Sequence, residues 1–225
     1  MSSTVQAAGT FTLTSVDSTR GGNISYYHNG VTSGGFAGVI LGNYNGTNVN
    51  PLFCVDLFTD IGYASYNSNP LAPRIVRHEE RAAWLYINRL STVVSQDTGL
   101  AFQLAIWDIV HDGGDGLVAG AGLINISATS ITGVTQTQID LANAYILASQ
   151  GKSVLTGVSI YQNFSKTNGA PAQDLIGALA PVPESSTILM GAFGMAVLTL
   201  ARMKGKGSNS EQPCRVPDSL SFPQG

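Results

Sequence analysis

The run Leu100–Gly114, LAFQLAIWDIVHDGG, decides how this chain folds. Between Leu100 and Val110 only Gln103 and Asp108 are not apolar. Leu100, Gln103, Leu104 and Trp107 fall at i, i+3, i+4 and i+7, one face of a helix. Phe102, Ala105, Ile106 and Ile109 cover most of the remaining surface, so the helix must be buried nearly all round. Gln103 is the misfit. An amide buried without partners costs on the order of 2 kcal/mol or more, so Gln103 is either bonded to neighbouring backbone or consumed by a nucleophile. Thr98 and Gly99 open the helix, and Asp112-Gly113-Gly114-Asp115-Gly116 ends it with glycine for a left-handed cap. Asp112 and Asp115 are spaced for a turn and supply no full calcium ligand set, so no metal site is expected.

Working outward, Pro51–Phe58, PLFCVDLF, is a short apolar run with strand character around Cys54. By itself Cys54 reads as an inert buried thiol. Upstream, Phe11, Leu13 and Val16, then Ile24–Tyr27 and Phe36–Leu41, read as strands divided by Gly21-Gly22, Asn29-Gly30 and Gly34-Gly35. Asn43–Asn50 reads as a turn and Tyr63–Pro73 as an irregular loop. The pattern predicts a helix over Val76–Leu90, with Val76, Ala83, Ile87 and Leu90 facing the core and the charged run Arg77, Glu79, Glu80, Arg81 solvated. Further on come a strand at Leu123–Ile126 and a helix over Thr135–Ser149 opened by Thr135-x-x-Gln138. A strand over Val154–Phe164 and a polar linker around Ser165–Gln173 complete this part. The fold class expected is α+β, a β-sandwich or barrel with an inserted helical subdomain.

Phe53-Cys54-Val55-Asp56 followed by Phe102-Gln103-Leu104-Ala105-Ile106-Trp107 resembles the two signature motifs of the bacterial thioester domains. Those read aromatic-or-Leu, Cys, apolar, Asp/Asn, then apolar, Gln, two residues, apolar, Trp, and every defined position is matched. Each motif is weak alone; the pair, in this order and 49 residues apart from Cys54 to Gln103, carries the resemblance. It implies that the Cys54 thiol and the Gln103 amide condense, with loss of ammonia, into an internal thioester that binds amine-bearing targets covalently. Phe53, Phe102 and Trp107 would then exclude water, Asp56 belongs to the same surroundings, and His111, two turns beyond Gln103, is a candidate general base. The alternative for His111 is a solvated helix-end histidine favoured by the dipole. Only Lys152 and Lys166 precede residue 182, so few internal amines compete. Two further readings stay open: a non-reactive matrix- or polysaccharide-associated surface protein on the same scaffold, and a cysteine hydrolase using Cys54 with His111. The hydrolase is poorly served by a mid-strand cysteine far from a helix N-terminus.

Beyond the linker, Val182-Pro183-Glu184-Ser185 precedes an uncharged run of 17 residues, Ser185–Ala201, and then Arg202-Met203-Lys204-Gly205-Lys206. This is similar to the PEP-CTERM sorting tag, with Ser185 in place of the motif's second proline. The resemblance implies a processing protease of the exosortase type. It also implies a single membrane helix over residues 188–201, with the basic end cytoplasmic and everything before Pro183 outside. The chain is thus partitioned into an N-terminal arm (1–9) and a thioester-like domain (10–175). A linker with the sorting motif (176–187), a hydrophobic segment with its basic end (188–206) and a disordered tail (207–225) follow. Val5–Ala8 reads as the end of a signal peptide begun upstream. Composition agrees with export: 11% charged residues, 26 glycines and a net charge of −3 leave no basic footprint for nucleic acid. Cys54 and Cys214 allow one disulfide, the chief rival to the thioester. No cofactor is expected.

Overall fold

The computed structural model describes residues 8–120, 123–126 and 129–179. Residues 1–7 of the expected leader remnant, the sorting motif at Val182–Ser185, the hydrophobic segment 188–201 and Cys214 lie outside the described residues, while Gly9, placed in that arm, opens a strand. Among the described residues no helix is long and apolar enough to cross a membrane.

The described chain is α+β. Ten antiparallel strands form one sheet, curled as a half-barrel, and three helices accompany it. Strands β1 (Gly9–His28) and β2 (Val31–Tyr44) make a long hairpin. Of the three dipeptides expected to divide this region, only Asn29-Gly30 turns the chain, with φ of 50° and 82°, the left-handed pair that a two-residue hairpin requires. The other glycines sit inside the strands, where the register shifts between Val16 and Gly21. This slippage lets β1 bend. Its first residues pair with β5 (Ser65–Leu71), while Ser25–Tyr27 pair with β8 (Thr129–Thr132).

Strand β5 replaces the loop expected over Tyr63–Pro73. Its sequence is polar, but Tyr66, Ser68 and Pro70 are buried in alternation, and that period of two is the strand signal hidden among loop-like residues. The polar linker expected around Ser165–Gln173 is likewise a hairpin. β9 (Val158–Ser165) returns as β10 (Pro171–Ala178), which runs past residue 175, the expected end of the domain, and carries an almost wholly buried stretch, Ala172–Gly177. Strand β3 (Thr47–Asn48) extends β2, the short β4 (Phe53–Cys54) pairs with β10, and β6 (Val118–Gly120) and β7 (Leu123–Ile126) close the far edge beside β8.

Helix α1 is Glu79–Arg89, α2 is Gln96–Asp112 and α3 is Gln136–Ser149. α1 starts later than expected. Ile75–Arg77 form a 3-10 turn and His78 takes φ 53°, so Val76 ends up 94% exposed instead of facing the core. The charged run is not solvated either. Glu79 is fully buried, bonded by Arg74 at 2.6 Å and approached by Arg77 at 3.4 Å, and Glu80 is buried as well. Arg77 also reaches Asp174 of β10 at 3.5 Å, so these charges brace the start of α1 against the sheet.

Helix α2 begins at Gln96, capped by Ser95 in a reciprocal box with Thr98, and ends on Gly113 in the left-handed region at φ 84°. Every residue from Gly99 to Val110 is buried, as its all-round apolar sequence demands. α2 touches β1, β2, β4 and β7 as well as α1 and α3. At Gly99 the helix lies directly on the backbone of Arg20 in β1, leaving no room for a Cβ.

Candidate functional site

The site starts from the edges of β4. In an extended strand the N–H and C=O of one residue point to the same side, and those of the next residue to the other. The backbones of Phe53 and Val55 face β10, where Val55 N donates to Asp174 O at 2.8 Å and Phe53 pairs with Ile176. The backbones of Leu52 and Cys54 face the opposite way. Leu52 exchanges two 2.9 Å bonds with Ile40 of β2. Continued by that register, β2 would set Gly38 opposite Cys54. Gly38, at φ 144°, pairs with Gly21 of β1 opposite the irregular residues 17–20 of that strand, and makes no pairing with Cys54.

The side chain of Gln103 takes the vacant pairing. Its Oε1 accepts from Cys54 N at 2.8 Å and its Nε2 donates to Cys54 O at 2.7 Å. Gln103 is 0% exposed and Cys54 2% exposed. The amide is therefore held against Cys54 as a strand residue holds its partner, and its hydrogen-bonding groups are met. Of the two expectations for the buried Gln103 amide, bonding to neighbouring backbone is the one seen: the Cys54 backbone meets both of its ends.

The same clamp has chemical content. An N–H pointed at Oε1 polarises the amide carbonyl and stabilises negative charge developing on that oxygen, the work of an oxyanion hole. The Cys54 thiol stays protonated, because burial raises its pKa and the Asp56 and Asp60 charges add to the effect.

The other expected site residues separate into two groups. Phe53 and Phe102 pack on each other at 4.7 Å between ring centres, with Tyr86 and Tyr145 behind them. Trp107 instead shares with Cys54 the wall of a cavity of about 180 Å³. Asp56 touches neither reacting group. Its Oδ1 accepts from Phe58 N at 2.9 Å and its Oδ2 from the Thr59 hydroxyl at 2.5 Å, which folds the turn after Cys54. His111 is brought to that turn: its Nε2 accepts from Leu57 N at 3.0 Å, and Phe58 stacks between its ring and that of His28. It is half-buried, and its Nε2 lone pair is already engaged by the Leu57 N–H. Burial depresses its pKa, aided by the Arg77 charge and opposed by Asp56 and Asp112.

The chain matches no family model, no characterised protein and no solved structure.

Two features of the site lie outside the sequence motifs. Gln173 of β10 donates through Nε2 to Asp56 O at 2.7 Å and through its backbone N to Asp60 O at 3.3 Å, pinning the 56–60 turn over Cys54. No local pattern marks Gln173, since its role depends on β10 lying beside β4. At the far end of α2, Asp108 joins Asp112 and Asp115, with one carboxylate oxygen from each within 4.8 Å of the others. The sequence assigns only the latter two to the turn. Asp108 is fully buried, and burial together with the Asp112 charge pushes its pKa up to about 7. Carboxylates at a helix C-terminus oppose the dipole, so the group gains by sharing a proton.

Proposed function

We propose that this is an exported surface protein whose Cys54 and Gln103 condense into an internal thioester and attach it to amine-bearing targets, without enzymatic turnover. The observation that carries the reading is the pair of hydrogen bonds placing the Gln103 amide on Cys54. In ring formation the Cys54 sulfur attacks the Gln103 carbonyl carbon, whose oxygen is held by the Cys54 N–H. The C–N bond breaks, and the amide nitrogen leaves as ammonia with the thiol proton. Positioning replaces the rare encounter of a weak nucleophile with a weak electrophile. A buried, protonated cysteine suits a single condensation and opposes a hydrolase cycling through free thiolate.

Freshly purified protein is expected to weigh one ammonia less than its sequence. Methylamine should return that mass plus a methylene and expose the Cys54 thiol, while Cys54→Ala and Gln103→Ala show neither effect. Full mass with Cys54 unreacted favours the second reading, a non-reactive matrix-associated surface protein. That reading has its own support in the fact that both ends of the amide are already satisfied. A loss of two hydrogens reversed by dithiothreitol would mark a bridge to Cys214.

For localisation we propose the route suggested by Val182, Pro183, Glu184 and Ser185. A single helix over residues 188–201 holds the domain outside the inner membrane until an exosortase-type protease releases it to the envelope or extracellular matrix. Met195→Arg places a charge near the centre of that segment at a cost of roughly 3 kcal/mol. The variant should leave the membrane fraction; retention there would count against the route.

A further inference from the structure

The cavity beside Cys54 has a floor and a mouth. Cys54 and Trp107, 2% and 3% exposed, lie at its buried end, whereas Asp60 and Tyr63 are exposed. At about 180 Å³ it is slightly larger than the roughly 150 Å³ cavity that admits one benzene, so it admits one side-chain-sized group and nothing bulkier. Asp60 is the only acidic side chain among the described residues lining it, and there is no basic one. Tyr26, Phe36 and Tyr63 give it aromatic walls, which favour a cation as well as a hydrocarbon chain. The Trp107 indole N–H has no acceptor among the described residues, an unmet buried donor on a residue that lines the cavity together with Cys54. A buried donor without a partner is uncommon in folded proteins and marks a place where a ligand atom fits.

We propose that this cavity is the channel by which the attacking group reaches the Cys54–Gln103 bond, and that Asp60 at its mouth selects an unbranched primary alkylamine arriving as its ammonium ion. The inference rests on the thioester reading. The ammonium pairs with the Asp60 carboxylate while its alkyl chain threads between the aromatic walls. It gives one proton to solvent at the mouth, and the neutral nitrogen attacks the Gln103 carbonyl carbon. A C–N bond forms and the C–S bond breaks. The second proton passes from nitrogen to the departing Cys54 sulfur, leaving an amide on Gln103 and a thiol on Cys54. Burial drives the last transfer, because it favours the neutral thiol.

The test uses the full chain and two nucleophiles followed by intact mass: n-butylamine, an ammonium ion at neutral pH, and hydroxylamine, which is neutral there. Asp60→Asn should remain one ammonia light. Its rate with butylamine should fall by about fivefold, the upper range for one exposed ion pair, while its rate with hydroxylamine stays level. Asp60→Glu should recover most of the butylamine rate, and high salt should erase the preference in the unmodified protein. A light Asp60→Asn variant with an unchanged ratio of the two rates overturns the role of Asp60 and leaves the thioester standing. A full-mass variant of a light parent assigns Asp60 to ring formation and overturns its role in selection. Full mass in the parent overturns the thioester, and this inference with it.

Discussion

At the residue scale, the Gln103 amide serves two ends that mutation separates. It satisfies the Cys54 backbone where β2 offers no pairing, and its carbonyl is polarised by the Cys54 N–H. The structural service belongs to Gln103 alone. Gln103→Ala should therefore cost roughly 2–5 kcal/mol, combining two orphaned backbone groups with a void. Cys54→Ala, which keeps both bonds, should cost clearly less. Urea denaturation measures the difference. Equal costs would show that the amide does not hold the β4 edge. Both candidate residues were readable in the sequence, because each stands out from its local pattern. Their mutual satisfaction was not. A side chain filling a missing strand pairing depends on β2 pairing with Leu52 and no further, so that Gly38, 16 residues from Cys54 in sequence, does not pair with it.

At the element scale, the reach of α2 into the sheet depends on Gly99. In an exposed helix interior Gly→Ala gains about 1 kcal/mol. Here the added methyl would meet the Arg20 carbonyl of β1, backbone that cannot step aside. The sign should reverse. Gly99→Ala is expected to destabilise by about 1–3 kcal/mol and to lower Tm by several degrees in a thermal melt; a raised Tm would show that helix and strand sit farther apart. At the other end of the helix, the raised pKa of Asp108 links stability to pH. Its folded value, about 7, exceeds the ordinary carboxylate value of 3.8. Between those limits the folded chain holds the extra proton, so this contribution to stability is full below about pH 4 and lost as pH rises to about 7. Asp108→Asn should therefore raise Tm at pH 7.5 and change it little at pH 4.5. Taking the difference between variant and parent at each pH cancels the opposite trend expected from His111, whose depressed pKa removes stability as pH falls below 6.5. An equal shift at both pH values would remove Asp108 as the source.

At the scale of the whole molecule, the curl of the sheet makes the site. One strand, β1, bends through its bulges and serves β5 at one end, β8 at the other and β2 along most of its length. That curvature brings β2 to the bridge at Leu52, lays β4 between β2 and β10, and leaves a cavity between the sheet and α2 with Cys54 at its floor. β10 supplies three supports from consecutive positions: Gln173 to the 56–60 turn, Asp174 to Arg77 and Val55, and Leu175 to Cys54. The end of a segment that reads as a linker, Gln173, thus joins Asp174 and Leu175 in bracing the candidate site.

The sequence by itself determined the buried helix, its glycine cap, the Asn29-Gly30 turn, the capping box of α3 and the α+β class. Each of these is written in short-range periodicity or in the conformational preference of one or two residues. It also singled out Cys54 and Gln103. Only the tertiary structure decided that Ser65–Leu71 and Pro171–Ala178 are strands, that Glu79 is buried, and that Asp60 and Trp107 face one cavity. In those cases polar or loop-like residues are stabilised by partners distant in sequence: a neighbouring strand, Arg74, or the curl of the sheet. Local propensity carries no record of such partners, because the free energy that settles these residues comes from contacts that exist only once the chain has closed on itself.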